Sequence, residues 1–119
     1  QADFRPTLDA NQQRVVDRML RQFRETPYTP PAPDLEPEVL NWAYEQGRII
    51  KVTDDVAFLP ETYAELLAWV CAWLHEHGTL TVIQFRDRFS ASRKYALAFL
   101  EHLDERKITR RDGDARVAY

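Results

Sequence analysis

The stretch TVIQFRDRFSASRKYALAFLEHLD, residues 81–104, decides the fold. Val82 to Phe89 predicts a short helix with Ile83 and Phe85 or Phe89 buried. Ser90-Ala91-Ser92 predicts a tight turn ending in a capping serine. Arg93 to about Lys107 predicts a longer helix with Ala96, Phe99, Leu100 and Leu103 on one face. A short helix, a tight turn and a second helix are the proportions of a helix-turn-helix. Upstream, Pro60-Glu61-Thr62 opens another helix that runs to about His77, where Gly78 stops it. Its apolar residues (Leu66, Leu67, Trp69, Val70, Trp73 and Leu74) form a face wide enough to pack on both sides. Thr79–Thr81 is a candidate short strand. Downstream, Ile108 to Arg111, a turn at Asp112–Asp114, and Ala115 to Tyr119 predict a hairpin. Three helices followed by a two-stranded β-wing make a winged helix.

The first half repeats the plan in reduced form. Val15, Val16, Met19, Leu20 and Phe23 give a helical stripe within Asp9–Glu25, with Thr7 or Asp9 as its cap. The segment TPYTPPAPDLEP forbids a helix interior, since proline lacks the N–H and clashes with the preceding turn. Pro37 suits the first turn of a second helix, behind Asp34 or Glu36, that runs to about Gln46. Its inward residues are Val39, Leu40, Ala43 and Tyr44 or Trp42, and Gly47 ends it. Ile49–Val52, a turn at Thr53–Asp55, and Val56–Leu59 predict a hairpin. Arg48-Ile49 with Val56-Ala57-Phe58 echoes Lys107-Ile108 with Val117-Ala118-Tyr119. The expected fold is therefore mainly α with small β-wings (α+β). Two winged-helix units stand in tandem, residues 1–60 with a reduced helix-turn-helix and residues 61–119 complete, with almost no linker between them.

Composition narrows the function classes. The 119 residues are 45% hydrophobic and 29% charged, a folded rather than disordered balance. No stretch approaches about 20 apolar residues, so no membrane span is expected. No basic-then-apolar leader is visible, and the chain ends suggest a piece of something longer. A single cysteine, Cys71, excludes an internal disulfide and a cysteine-based zinc cluster, and an intracellular, cytoplasmic protein is expected. The net charge of −3 hides an asymmetry: residues 1–60 carry 7 Lys/Arg against 10 Asp/Glu, and residues 86–119 carry 9 against 6. A cationic C-terminal end on an acidic chain hints at a polyanion partner.

Little supports catalysis. His75 and His77 lie two apart on a helix, which puts them on different faces, so no metal site is expected. Cys71, between Val70 and Ala72, reads as a buried, inert thiol. Asp54-Asp55 and Asp112/Asp114 fall in turns, where turn chemistry explains them. Only three glycines are present, with no Gly-rich phosphate loop and no nucleophile elbow. No catalytic residue and no cofactor is expected in this chain.

Nucleic-acid binding finds more. Ser92, Arg93 and Lys94 fall at the start of the second helix of the helix-turn-helix, where backbone N–H groups and the helix dipole already favour phosphate. Arg110, Arg111 and Arg116 fall on the wing beside that helix start, and Arg86 and Arg88 extend the patch. Adjacent strand residues point to opposite faces, so one of Arg110 and Arg111 is expected to miss the ligand. Tyr95 is a candidate for base stacking or for core. Trp42, Trp69 and Trp73 are expected to form cores and the contact between units.

The run Gln84-Phe85-Arg86-Asp87, Ser92-Arg93-Lys94-Tyr95-Ala96, Leu100-Glu101, Leu103-Asp104 and Thr109-Arg110-Arg111 with Gly113 resembles the last winged helix of the bacterial selenocysteine-specific elongation factor. The resemblance is specific over roughly residues 79–117; residues 1–60 match only in layout. It implies the mRNA-binding C-terminal region of a translational GTPase that carries selenocysteinyl-tRNA to the ribosome, whose last winged helix grips the selenocysteine insertion hairpin of the message. The GTP-binding part is absent here, so the resemblance implies a monomer that binds an RNA stem-loop and does no chemistry. Ser92, Arg93 and Lys94, with Arg110 and Arg111, Gln84 and Arg86, would carry binding. Arg93 and Lys94 would clamp loop phosphates, Arg110 or Arg111 would reach a base edge or the opposite strand, and Tyr95 or Ser92 would line a base pocket. The acidic first unit would repel RNA and act as a rigid arm. Two departures stand out: no glycine precedes the wing at Glu105-Arg106-Lys107, and the wing turn Asp112-Gly113-Asp114 is acidic, which moves the expected contact toward the wing's base. Two other readings remain open: a DNA-binding winged helix of a transcription regulator, with Arg93 to Leu97 in a major groove, and a protein-binding winged helix with Trp69 or Trp73 as an exposed anchor.

Overall fold

A computed structural model describes residues 8–119. Helix α1 (Ala10–Glu25) starts at a capping box: Asp9 accepts from the Gln12 N–H, and Gln12 returns the bond to the Asp9 N–H. Thr7, the other candidate cap, lies outside the described residues. Val16, Met19, Leu20 and Phe23 are buried in the stripe that their spacing predicts. Helix α2 (Pro37–Glu45) begins with Pro37 in its first turn behind Glu36 and buries Val39 and Ala43. Strands β1 (Ile50–Lys51) and β2 (Ala57–Phe58) pair antiparallel, Ile50 opposite Phe58. The first unit thus has two helices and a hairpin, with the proline-rich 27–36 segment in place of a middle helix.

The second unit holds helices α3 (Pro60–His77), α4 (Val82–Phe89) and α5 (Arg93–Glu105) and strands β3 (Leu80–Thr81), β4 (Thr109–Asp112) and β5 (Ala115–Ala118). The wing is a three-stranded antiparallel sheet in the order β3-β5-β4, because Leu80–Thr81 pairs with β5. Thr81 and Gln84 close a second capping box at the start of α4. The missing glycine before the wing is replaced by Lys107 itself, which takes a left-handed φ of 59°. That conformation is strained for a residue with a Cβ.

Three details of packing differ from the sequence reading. Ile83 is 55% exposed rather than buried. The α4 core stripe is Val82, Phe85 and Phe89, and Ile83 sits about 100° around the helix from Val82. Cys71 is exposed, not a buried thiol. Helix α3 buries one face, Thr62, Leu66, Val70 and Leu74, and Cys71 falls off it beside the exposed Ala68 and Ala72. The wide apolar face therefore packs on one side only.

The two units share a wall. In the first hairpin, Ile49, Ala57 and Leu59 join the core of α1 and α2. Val52, Val56 and Phe58 point the other way, into the core of the second unit. Alternation along a strand sends neighbouring side chains to opposite faces, and here both faces are buried. The proline-rich segment supplies a second bridge: the Tyr28 ring lies 5.0 Å from Phe89, the Tyr28 hydroxyl bonds Glu65, and the Tyr95 hydroxyl donates to the Pro30 carbonyl at 2.7 Å.

Within the second core, Phe99 stacks on Phe85 and meets Phe58 and Tyr63 edge-on. Tyr63 and buried His102 share a hydrogen bond of 2.7 Å between α3 and α5. Burial, with the nearby Arg106 charge, holds the His102 pKa below its ordinary value of 6.5. The unfolded chain therefore takes up the proton first as the pH falls, and stability drops from about pH 6.5 downward. We expect the urea midpoint to fall between pH 7.5 and 5.5, and to fall less in His102→Gln, whose amide can still bond Tyr63. Phe58→Ala should cost about 3–5 kcal/mol. Because Phe58 belongs to the hairpin shared by both units, tryptophan fluorescence and circular dichroism should report one shared transition at a lower urea midpoint.

Candidate nucleic-acid interface

The start of α5 is built to receive an anion. Ser92 occupies the N-cap position with extended backbone, yet its hydroxyl makes no capping bond. Helices α1 and α4 each close a capping box, and α2 and α3 carry proline in the first turn. Helix α5 thus leaves its first-turn N–H groups without a side-chain partner, at the positive end of the helix dipole. Ser92, Arg93 and Lys94 are all exposed there.

Beside this helix start lies a cleft of about 320 Å³ between the first turns of α4 and α5 and the wing. Arg93 and Arg111 reach it from α5 and β4, Ile83 and Leu97 form an apolar side, and Asp114 adds an acceptor. The register explains which wing arginine takes part. Arg111 pairs with Arg116 and Arg110 with Val117 across the hairpin, so the two arginines lie on opposite faces of the sheet. Arg111 lines the cleft, held by a bond from its Nε to the Gly113 carbonyl. Arg110 is exposed on the other face.

Four residues singled out from sequence have other occupations. Arg116 is 2% exposed and cannot serve as a surface phosphate contact. Its Nε and Nη2 donate to Asp104 Oδ2 at 3.2 and 3.1 Å, while Asp104 Oδ1 accepts from the Thr109 hydroxyl at 2.7 Å. One carboxylate at the end of α5 thereby ties β4 and β5, and Arg116 becomes part of the cleft wall. Tyr95 is half-buried with its hydroxyl bound to Pro30, which places it at the joint between units rather than as a free stacking ring. Gln84 is committed to the α4 capping box. Arg86 is paired with the adjacent Asp87. Sequence reasoning missed Ile83, Leu97 and Asp114 as cleft residues. The signal for Ile83 was present, since Val82, Phe85 and Phe89 already complete a stripe that excludes it.

The tryptophans are not exposed anchors. Trp69 packs edge-on to Phe85 and Phe89, and Trp73 bonds the Thr79 carbonyl and stacks on His77 at 4.0 Å. Trp42 packs on the first core. Among the described residues, no group of three or more His, Cys, Asp or Glu stands close enough to hold a metal ion, and no helix is long and apolar enough to cross a membrane. Cavities of about 380 and 430 Å³ lie in the first unit; Glu38 and Glu45 border one, and Arg18 and Asp34 border the other. Of these three cavities, the 320 Å³ cleft is the one that brings Arg93 and Arg111 to an uncapped helix start.

Fold and cleft together define a winged-helix module whose helix α5 and wing frame a cationic groove. Residues 72–118 match the winged-helix family described as that of elongation factor SelB. Over 72 residues the chain is 33% identical to a selenocysteine-specific elongation factor from Desulfomicrobium baculatum, covering 60% of this chain and 11% of that protein. The fold matches the mRNA-binding domain of elongation factor SelB from E. coli, solved in complex with SECIS RNA, with a TM-score of 0.68 at 21% identity over 93% of this chain and 98% of that one. It also matches a bacterial selenocysteine-specific elongation factor, EF-Sec, with a TM-score of 0.63 at 17% identity over 93% of this chain and 18% of that one. The chain thus spans about a tenth of the curated relative it matches.

The Asp104 network sets the cleft. Asp104→Ala leaves a buried guanidinium unpaired and should cost about 3–5 kcal/mol. Arg116→Met removes the buried charge and should cost far less. Urea denaturation of the two variants checks the order.

Proposed function

We propose that the second unit binds the selenocysteine insertion hairpin of selenoprotein mRNA, as the RNA-reading end of an elongation factor specific for selenocysteinyl-tRNA. The observation that carries this reading is the meeting of Arg93 and Arg111 over an uncapped helix start in one cleft. Its support from relatives is the match of residues 72–118 to the SelB winged helix and the likeness of fold to a domain solved on SECIS RNA.

The mechanism follows from the chemistry of the cleft. A-form RNA hides its base edges in a deep, narrow major groove, so a sequence reader takes a loop or a bulge. Arg93, Lys94 and the free N–H groups of α5 clamp loop phosphates through charge-assisted hydrogen bonds. One extruded base enters the cleft with a face against Ile83 and Leu97 and its polar edge toward Arg111 and Asp114. Arg110, on the outer face of the wing, meets the second strand. Discrimination then comes from the base edge and grip from the phosphates. This chain acts by binding alone, with no cofactor. Nucleotide hydrolysis, tRNA carriage and ribosome contact belong to other parts of a cytoplasmic factor of this kind.

About four phosphate contacts give a slope of log K against log salt of about −3 to −4. Fluorescence anisotropy with a selenocysteine-insertion hairpin, the same hairpin with a scrambled loop, and a DNA duplex of equal length tests the reading. Binding should favour the first hairpin, and Arg93→Glu should weaken it at least about tenfold and flatten the slope. Ile83→Ala should reduce the preference for the native loop more than it reduces the salt slope. Equal affinity for all three ligands would reduce the patch to generic electrostatics, and a preference for DNA would favour a transcription regulator.

A further inference from the structure

The acidic average of the first unit conceals a cationic face. Arg14, Arg18, Arg21 and Arg24 of α1 are all exposed. At 100° per residue they fall within about 120° of one another around the helix, opposite the buried stripe of Val16, Met19, Leu20 and Phe23. Along the axis they span about 15 Å. The acids of the unit lie mostly elsewhere, on α2, its approach and the hairpin turn. Two carboxylates share the arginine face, Asp17 and Glu25, and Asp17 is held by the Gln13 amide. Among the described residues no ion pair engages any of the four arginines; Arg14 donates to the Asn11 side-chain Oδ1. The other two cations among the described residues of the unit are occupied, Lys51 by Asp54 and Arg48 over the Trp42 ring.

We propose that this face of α1 is a second RNA-binding surface, which grips the sugar–phosphate backbone of an RNA double helix without regard to sequence. Four observations choose that ligand. All four cations are arginine, whose planar fork suits phosphate. The face carries no apolar anchor of the kind protein interfaces require: the exposed large hydrophobic residues of the described chain are Ile83 and Tyr119, both in the second unit. The apolar side of α1 is occupied by its own core, so the helix cannot lie in a membrane surface. Lastly, the chain leaving α1 is tied to α4 and α5, the two helices whose first turns border the cleft. Six residues after Arg24, the Pro30 carbonyl accepts from Tyr95, next to Lys94 and Arg93, and Tyr28 packs on Phe89 beside exposed Arg88. The arginine face therefore stands in fixed relation to the cleft, through the two bridges that join the units. It gives the first unit a direct grip on RNA in place of the repelling arm that its net charge suggests.

The test separates this surface from the cleft. The whole chain carrying Arg93→Glu and Arg111→Glu, with the cleft disabled, should still bind a duplex RNA of unrelated sequence. Adding Arg14→Gln, Arg18→Gln, Arg21→Gln and Arg24→Gln should weaken that binding about tenfold or more and reduce the salt slope by about 2–3. Glutamine is a good helix former and the sites are exposed, so circular dichroism should show an unchanged fold. With the cleft intact, stem length identifies the source of the duplex. Tighter binding of a longer-stemmed hairpin, lost in the four-glutamine variant, assigns the face to the same RNA. Binding of a separate duplex without displacement of the hairpin assigns it to another RNA. Duplex affinity and slope unchanged by the four glutamines would overturn the proposal, as would stronger binding of a DNA duplex of equal length. Failure of the hairpin reading leaves the cleft-disabled arm readable, because that arm contains no hairpin.

Discussion

Everything at the candidate interface depends on one buried guanidinium. Arg116 on β5 is out of water, and an isolated charge there would be too costly to keep. Asp104, at the end of α5, makes it tolerable and also holds the Thr109 hydroxyl of β4. Three elements are thereby locked at one carboxylate. The consequence is positional: with the wing fixed to the helix, Arg111 on the same sheet face comes to the cleft opposite Arg93. A residue that looked like a contact in the sequence instead keeps the contacts in place. Removing one partner costs more than replacing the pair, and this asymmetry marks the network as a geometric device rather than a source of net stability.

The second constraint is the joint between units. A two-stranded hairpin alone is marginal in water, but here both of its faces are buried, one in each core. The proline-rich segment adds a contact at the other end, where Tyr28 and the Pro30 carbonyl meet Phe89 and Tyr95. Proline limits the freedom of that segment before folding, so holding it costs less entropy than an ordinary loop would. The first unit is therefore packed against the second, and the orientation of α1 relative to α5 follows from that packing.

Charge shows the same dependence on placement. A chain with a net charge of −3 carries two separate clusters of cations, because most of the acids sit on other faces. Screening in physiological salt falls off over about 8 Å, so local clusters rather than the sum govern what approaches each face. The cleft joins its cations to an apolar side and a backbone N–H cluster, which suits a base and its phosphates. The α1 face has cations alone, which suits a backbone.

Local patterns made most of the architecture legible. The helices, the cap at Asp9, the proline break and both hairpins follow from periodicity and turn chemistry, which act over a few residues. So did the cationic start of α5, since Ser92, Arg93 and Lys94 stand together in the chain. What those patterns could not decide is which side chains are already engaged. Gln84, Arg86, Tyr95 and Arg116 look like Arg93 in a sequence, yet each is held by a partner: Thr81, Asp87, Pro30 and Asp104 respectively. For Tyr95 the partner is 65 residues away, and no local rule could supply it. The choice of Arg111 over Arg110 for the cleft needed the strand register, and the exposure of Ile83 and Cys71 needed the exact face each helix turns inward. The sequence determined the elements and their charges because those obey short-range sterics and periodicity. Only the tertiary structure decided which charges remain free for a ligand, because pairing depends on distances that the folded chain alone sets.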